Sequence, residues 1–364
     1  MIRSVLMIAA SALLPGAAEA AVRYTITDLG QFFRASDLND AGWVVGTQVS
    51  RAYVRTADGT MIDLGSLRGT TSIGHGINDL NTATGTSAVP GPLGDRHAFT
   101  WTQAGGMVDI GEPAGGRVRA DGYAINNAGQ VVGAGGSSGS GAFLWTQAGG
   151  YQLLDALPGG SSALAADINE AGQITGFSSS PAGTRAVRWA PNGQVTDLGA
   201  LAGGDGTSIA AGINEAGQII GQSSSSAGER AFLWTEAGGM RDLGALPHAA
   251  IRSSAEGIND AGMIVGSSQG DFAYGRAFLW TAEFGMRDLH SLTDTGGKWY
   301  LFGASDINNK GQILAAGLLN GQGRAILLTP YEFPGVPEPA TWAMMIGGFG
   351  LIGSTARRQR LSAA

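Results

Sequence analysis

Four histidines, His75, His97, His248 and His290, are the only side chains here that normally titrate near neutral pH, and there is no cysteine. Thiolate nucleophiles and thiolate metal sites are therefore excluded. His75 and His97 fall within one short stretch and would be candidates for a metal or acid–base pair. No His-x-x-x-His or Glu-x-x-His spacing accompanies them, so ordinary loop histidines are expected. Calcium is a second chemistry to weigh, because the phrase Asn-(Asp/Glu/Asn)-Ala-Gly recurs along the chain. Calcium takes several oxygen ligands, usually carboxylates at alternating positions, and no second carboxylate recurs in the phrase. A turn is expected instead, with no catalytic residue, metal or cofactor assigned. Recognition is left to residues that do not repeat: Arg117, Arg119, His248, Arg252, Asp271, Tyr274, Lys298, Trp299 and Tyr300.

The elements that carry these residues come from a repeat. An Ile-Asn phrase, degenerate to Leu-Asn in its first copy, has its asparagine at Asn39, Asn78, Asn126, Asn169, Asn214, Asn259 and Asn308. A second phrase, near Arg-Ala-Phe-Leu-Trp-Thr, has its alanine at Ala52, Ala98, Ala142, Ala186, Ala231, Ala277 and Ala325. A third, near Asp-Leu-Gly, has its aspartate at Asp28, Asp63, Asp109, Asp155, Asp197, Asp242 and Asp288. Each unit reads as four short strands, a to d. Strand a ends at the asparagine, b follows the glycine turn, c is the aromatic phrase and d ends at Asp-Leu-Gly. An asparagine opening a type I turn and a glycine closing it account for the a–b connection.

Four strands in about 45 residues, repeated, predict a propeller blade. The order of the phrases selects a closed ring over an open solenoid. The seventh unit supplies a, b and c and then stops, whereas the mature chain opens on YTITDLG, a strand d with nothing before it. The predicted fold is all-β: a seven-bladed β-propeller over 21–332, closed by an N-terminal strand that completes the last blade. Alternating strand direction puts the a–b and c–d turns on one face and the variable b–c and d–a loops on the other. The nonrepeating residues fall in the variable loops, where binding usually resides. Trp299 and Tyr300 are expected there as stacking platforms. The repeated Arg51, Arg185, Arg230, Arg276 and Arg324, and Trp101, Trp145, Trp189, Trp234 and Trp280, are read as architecture.

The two ends are addressed elsewhere. Residues 1–20 carry an early Arg3, an apolar run and Ala18-Glu19-Ala20, the pattern of a cleaved signal peptide. Residues 333–364 hold Pro337-Glu338-Pro339, an uncharged stretch forming a short apolar helix in the precursor, then Arg357, Arg358 and Arg360. The stretch is short for a span of about 20 residues, and the arginines fit a cytoplasmic stop. With 22 Lys and Arg against 29 Asp and Glu, a net charge of −7 argues against nucleic acid.

The tail resembles the PEP-CTERM sorting signal, with its Pro-Glu-Pro, apolar stretch and arginine cluster in order. That resemblance implies processing by exosortase, a membrane enzyme, and release to the envelope or exterior, with membrane contact only through the tail before processing. The internal phrases resemble the HAF repeats of bacterial extracellular proteins, which implies localisation and no chemistry. The expected function is a non-catalytic binding or structural propeller, with an extracellular polysaccharide or matrix protein as partner. The alternative is a propeller-fold hydrolase or lyase acting on such a polysaccharide. Carboxylates or histidines converging in the central channel would favour that alternative. Replacing Arg357, Arg358 and Arg360 together by Ala should leave the chain uncleaved in the membrane fraction; undiminished release on fractionation would contradict the sorting reading.

Overall fold

The computed structural model describes residues 22–30, 33–91, 94–113, 119–136, 141–247, 251–270 and 274–332. The signal-peptide and sorting-tail assignments lie outside them. The unit Tyr24–Pro330 consists of seven four-stranded antiparallel sheets and, among the described residues, no helix. Blade 1 shows the plan: a is Phe33–Leu38, b Val44–Gln48, c Arg51–Arg55 and d Met61–Asp63. The last sheet is ordered Val22–Gly30, Gln322–Glu332, Ile313–Leu319, Trp299–Ile307. The opening strand is therefore strand d of blade 7, as its place in the repeat predicts.

That strand is held by the same contact as strand d of three other blades. In blades 1, 4 and 6 the arginine before the strand-c alanine pairs with the strand-d aspartate: Arg51 with Asp63 at 3.4 Å, Arg185 with Asp197 at 3.2 Å, Arg276 with Asp288 at 3.6 Å. Arg324 reaches Asp28 at 3.7 Å in the same way, from opposite ends of the chain. Tyr24 is 1% exposed, and its N–H donates to the Leu292 carbonyl at 3.0 Å. Without this strand the edge of the Gln322–Glu332 strand would be open to pairing with other chains.

Seven apolar clusters among the described residues each join one blade to the next. Trp101, Trp189, Trp234 and Trp280 lie buried within them, which confirms their architectural reading. Arg188 of blade 4 stacks over Trp234 of blade 5, and Arg241 of blade 5 over Trp280 of blade 6. The cluster at the seam joins Leu29, Leu314, Ala325 and Leu327 of blade 7 to Leu38 and Val44 of blade 1.

Every innermost strand is bulged three residues before its asparagine, at Ser36, His75, Tyr123, Ala166, Ala211, Glu256 and Ser305. In blades 1 to 6 a glycine in strand b makes this possible. A Cβ on Gly46, for example, would collide with the Arg34 carbonyl oxygen. Blade 7 differs. Its glycine comes two residues later, Gly317 opposite Leu301, and a second bulge follows at Phe302.

Deleting residues 21–30 should raise hydrogen exchange across Trp299–Thr329 more than across blade 1. Equal protection in that segment would mean that the opening strand does not complete blade 7.

Candidate functional site

The asparagine turns form one mouth of the central channel. Each is a type I turn, with the residue three on donating its N–H to the asparagine carbonyl, as in Gly42 to Asn39 at 3.0 Å. The closing residue is left-handed: glycine in six copies, and Asn81 at φ 59° in the second. The side-chain oxygen of every asparagine accepts the N–H four residues on. A donor two residues on, the contact expected from the sequence, is added only at Asn78 and Asn308.

The side-chain Nδ2 does what the sequence did not reveal. It donates to the backbone carbonyl of the next asparagine, at 2.9 to 3.1 Å, from Asn39 through each blade to Asn308 and back to Asn39. A second circle surrounds the first. The N–H of Asp40 donates to the Asp79 carboxylate, and so on through Asn127, Glu170, Glu215, Asp260 and Asn309 to Asp40. The position after the asparagine thus needs a side-chain oxygen as acceptor, which explains why Asp, Glu and Asn interchange there. Its five carboxylates border a cavity of about 340 Å³.

Below this mouth the bulges aim two positions per blade at the channel. The residues two before the asparagine are Asp37, Gly76, Ala124, Asp167, Gly212, Gly257 and Asp306. All of these but Gly76, with His75, Tyr123 and Glu256 from the preceding position, line a second cavity of about 170 Å³. The carboxyls of Asp37 and Asp306 meet across the seam, a contact that becomes a hydrogen bond when one of them carries a proton. Withdrawal from bulk water raises both above the usual carboxylate range; the charge and hydrogen bond of Asp37 raise Asp306 further, whereas the hydrogen bond with Asp306 lowers Asp37. Burial likewise pushes Asp167 up to about 7 and lowers His75, leaving its ring neutral at pH 7.

These aspartates also staple blades. Asp37 accepts the N–H groups of Leu38 and, one blade on, Ile77, both at 2.8 Å. Asp167 accepts Ile168 and Ile213 at 2.8 and 2.9 Å; Asp306 accepts Ile307 and Leu38 at 2.7 and 2.8 Å. Every carboxyl oxygen of the three is engaged by a fixed amide.

The loop residues sort differently from their expected positions. Trp299 and Tyr300 are not loop platforms; they open strand a of blade 7 and are half-buried. Trp299 packs on the blade 6–7 core. Tyr300 donates its hydroxyl to the Tyr274 carbonyl at 3.0 Å and lies under Arg276, whose guanidinium is 4.6 Å from the ring centre. Tyr274 itself is 55% exposed and stands 6.5 Å from Tyr300 and 6.2 Å from Phe302 between ring centres. Lys298, Arg119 and Arg252 are exposed and separate, whereas Arg117, His248 and Asp271 lie outside the described residues. His75 and His97 do not pair. His97 takes the arginine's place in blade 2 and binds Asp109 at 2.8 Å, while the His75 ring meets Tyr123 edge-on in the channel.

Phe302, absent from the sequence-based candidates, is turned out by the second bulge of blade 7 into a cleft of about 550 Å³. Arg34, Glu256, Ser305 and Arg324 share its walls with several alanines, and an adjoining hollow carries Tyr274. Glu256 and Ser305 line both this cleft and the channel. The displaced glycine in Ile313-Leu314-Ala315-Ala316-Gly317, against glycine at the third place of strand b in the other six copies, was the available signal. Among the described residues no group of three or more His, Asp or Glu is placed to hold a metal ion.

Seven blades around a channel define a β-propeller with one differentiated cleft. The PEP-CTERM protein-sorting motif matches residues 335–360 and marks a secreted protein sorted to the cell surface, with exosortase processing implied. No curated protein matches the chain. Among solved structures it is similar to virginiamycin B lyase from Staphylococcus aureus, at 11% identity over 85% of this chain and 96% of that one, with a TM-score of 0.50. It is also similar to a streptogramin B lyase, at 10% identity over 85% and 98%, with a TM-score of 0.52. At such identities the likeness shows the fold alone.

Because the folded state holds the Asp167 proton more tightly than the unfolded chain does, its contribution makes stability fall as pH rises from about 4 to about 7. Asp167→Asn should remove about 1–2 kcal/mol of that decline, with allowance for water in the channel. Denaturant midpoints measured at pH 4 and 7 test this; an unchanged slope would contradict it.

Proposed function

We propose that the chain is a surface-sorted binding propeller whose cleft on blades 6, 7 and 1 receives a segment of extracellular polysaccharide. The observation that supports this reading is the local departure from sevenfold repetition at Phe302. A repeated fold needs no second bulge, and bulges often re-aim a side chain next to a functional site. The bulge sets an aromatic ring beside the exposed Tyr274 in a cleft of ligand size. Aromatic faces suit the apolar faces of sugar rings, and the polar groups at the rim suit their hydroxyls. The HAF-like character of the repeats agrees with an extracellular place of action.

The convergence of Asp37, Asp306, Asp167, His75 and Glu256 in the channel favours, as a second reading, a hydrolase or lyase acting on the same kind of polymer. Against it stands the engagement of every oxygen of the three aspartates by backbone amides, which suits stapling better than proton transfer. New reducing ends or unsaturated products accumulating with the wild type, and lost in Asp37→Asn, would decide for catalysis.

Phe302→Ala and Tyr274→Ala should each weaken binding to the producing organism's exopolysaccharide at least tenfold without lowering thermal stability. Asn214→Ala should do the reverse, costing about 2–3 kcal/mol by leaving buried partners unpaired while sparing affinity. Calorimetry on the three variants checks both halves; unchanged affinity in both aromatic variants would remove the cleft from the reading.

A further inference from the structure

We propose that the cleft of blades 6, 7 and 1 is a subsite for a carboxylated sugar, a uronate, with Arg34 and Arg324 holding the carboxylate and Phe302 bearing the ring. The inference rests on the glycan-binding reading and names its ligand class.

Two guanidiniums line this one cleft. Arg34, on strand a of blade 1, is exposed and has no side-chain partner among the described residues. Arg324, on strand c of blade 7, belongs to the series of strand-c arginines and is loosely held: its contact with Asp28 is 3.7 Å and, as in Arg51, its Nε is buried without an acceptor. By contrast Arg185 also donates to the Gly206 carbonyl at 2.6 Å, and Arg276 is stacked on Tyr300. A guanidinium offers five donors in a plane matched to a carboxylate, and here several stay unused.

The space beside them is open. A side chain added at Gly303 or Gly323, both in the cleft wall, would meet nothing within 4 Å. Phe302 supplies the apolar face that a pyranose ring stacks on. The chain's acidity does not oppose an anion at this place, because the five carboxylates of the Asn-turn mouth lie at the other end of the channel. Asp28 already sits 3.7 Å from Arg324, and Asp37 and Asp306 line the adjoining channel; the acidic residue of the cleft wall itself is Glu256, which accepts a hydrogen bond from Ser254 at 2.7 Å and is raised by burial and by the charge of Glu229. It should therefore restrain binding at neutral pH and restrain it less in mild acid.

The test is calorimetry of the purified full chain with oligomers of galacturonate, glucuronate and mannuronate, each beside its methyl ester. At least one acidic oligomer should bind tenfold or more tightly than its ester. Arg34→Ala should abolish that preference, Arg34→Lys should keep part of it, and Glu256→Gln should strengthen it. Phe302→Ala should weaken acid and ester alike. Equal binding of acid and ester, or a preference untouched by Arg34→Ala, overturns the uronate assignment while leaving glycan binding intact. Failure of every oligomer with binding of the native exopolysaccharide retained also overturns it. Loss of all carbohydrate binding in the wild type overturns the underlying reading as well.

Discussion

The circle of asparagine side chains is the constraint on which the rest of the molecule depends. One amide group per blade fixes its own turn through the oxygen and hands a hydrogen bond to the next blade through the nitrogen. Singly, such a bond contributes only about 1 kcal/mol net. The circle matters more than the sum, because each donor is buried and, in five blades, its second hydrogen is already held by a side-chain oxygen. A blade that shifts leaves two polar groups of its neighbours unpaired in the interior. Seven turns held in register in this way set the diameter of the channel and the direction in which each innermost strand sets out.

From that register the chemistry follows. Each innermost strand bulges at the same distance from its asparagine, so the same two positions reach the channel in all seven blades. Repetition makes the frame, and the residues at those two positions differ because the frame does not need them to agree. Where aspartate occurs, it binds the amides of two blades. At the seam the Asp37–Asp306 pair joins the beginning of the array to its end, near the strand that completes the ring.

Much of this was legible in the chain. Seven copies of three phrases, with a solitary strand d at the start, are enough to specify a closed ring, because no other arrangement pairs that strand. The turn could also be read, since Asn and Gly have local conformational reasons to be where they are. The circumferential bonds could not, because a donor nitrogen aimed at another blade leaves no mark in the spacing of its own. The general rule that loops carry function points to the variable loops. Tyr274 meets that rule, whereas Trp299 and Tyr300 turned out to be strand residues. Phe302 and the channel aspartates lie on strands, and their marks were subtle: a glycine displaced by two in Ile313–Gly317, and chemically unlike residues beside an otherwise constant Ile-Asn.

The account's central claim is that the blades stand or fall as one ring. Residue-resolved hydrogen exchange through a urea titration measures this most directly, by giving each blade its own unfolding midpoint. A closed ring predicts one midpoint shared by all seven blades, blade 7 and the opening strand included. A series of midpoints running from one end of the array to the other would show an open stack and contradict it.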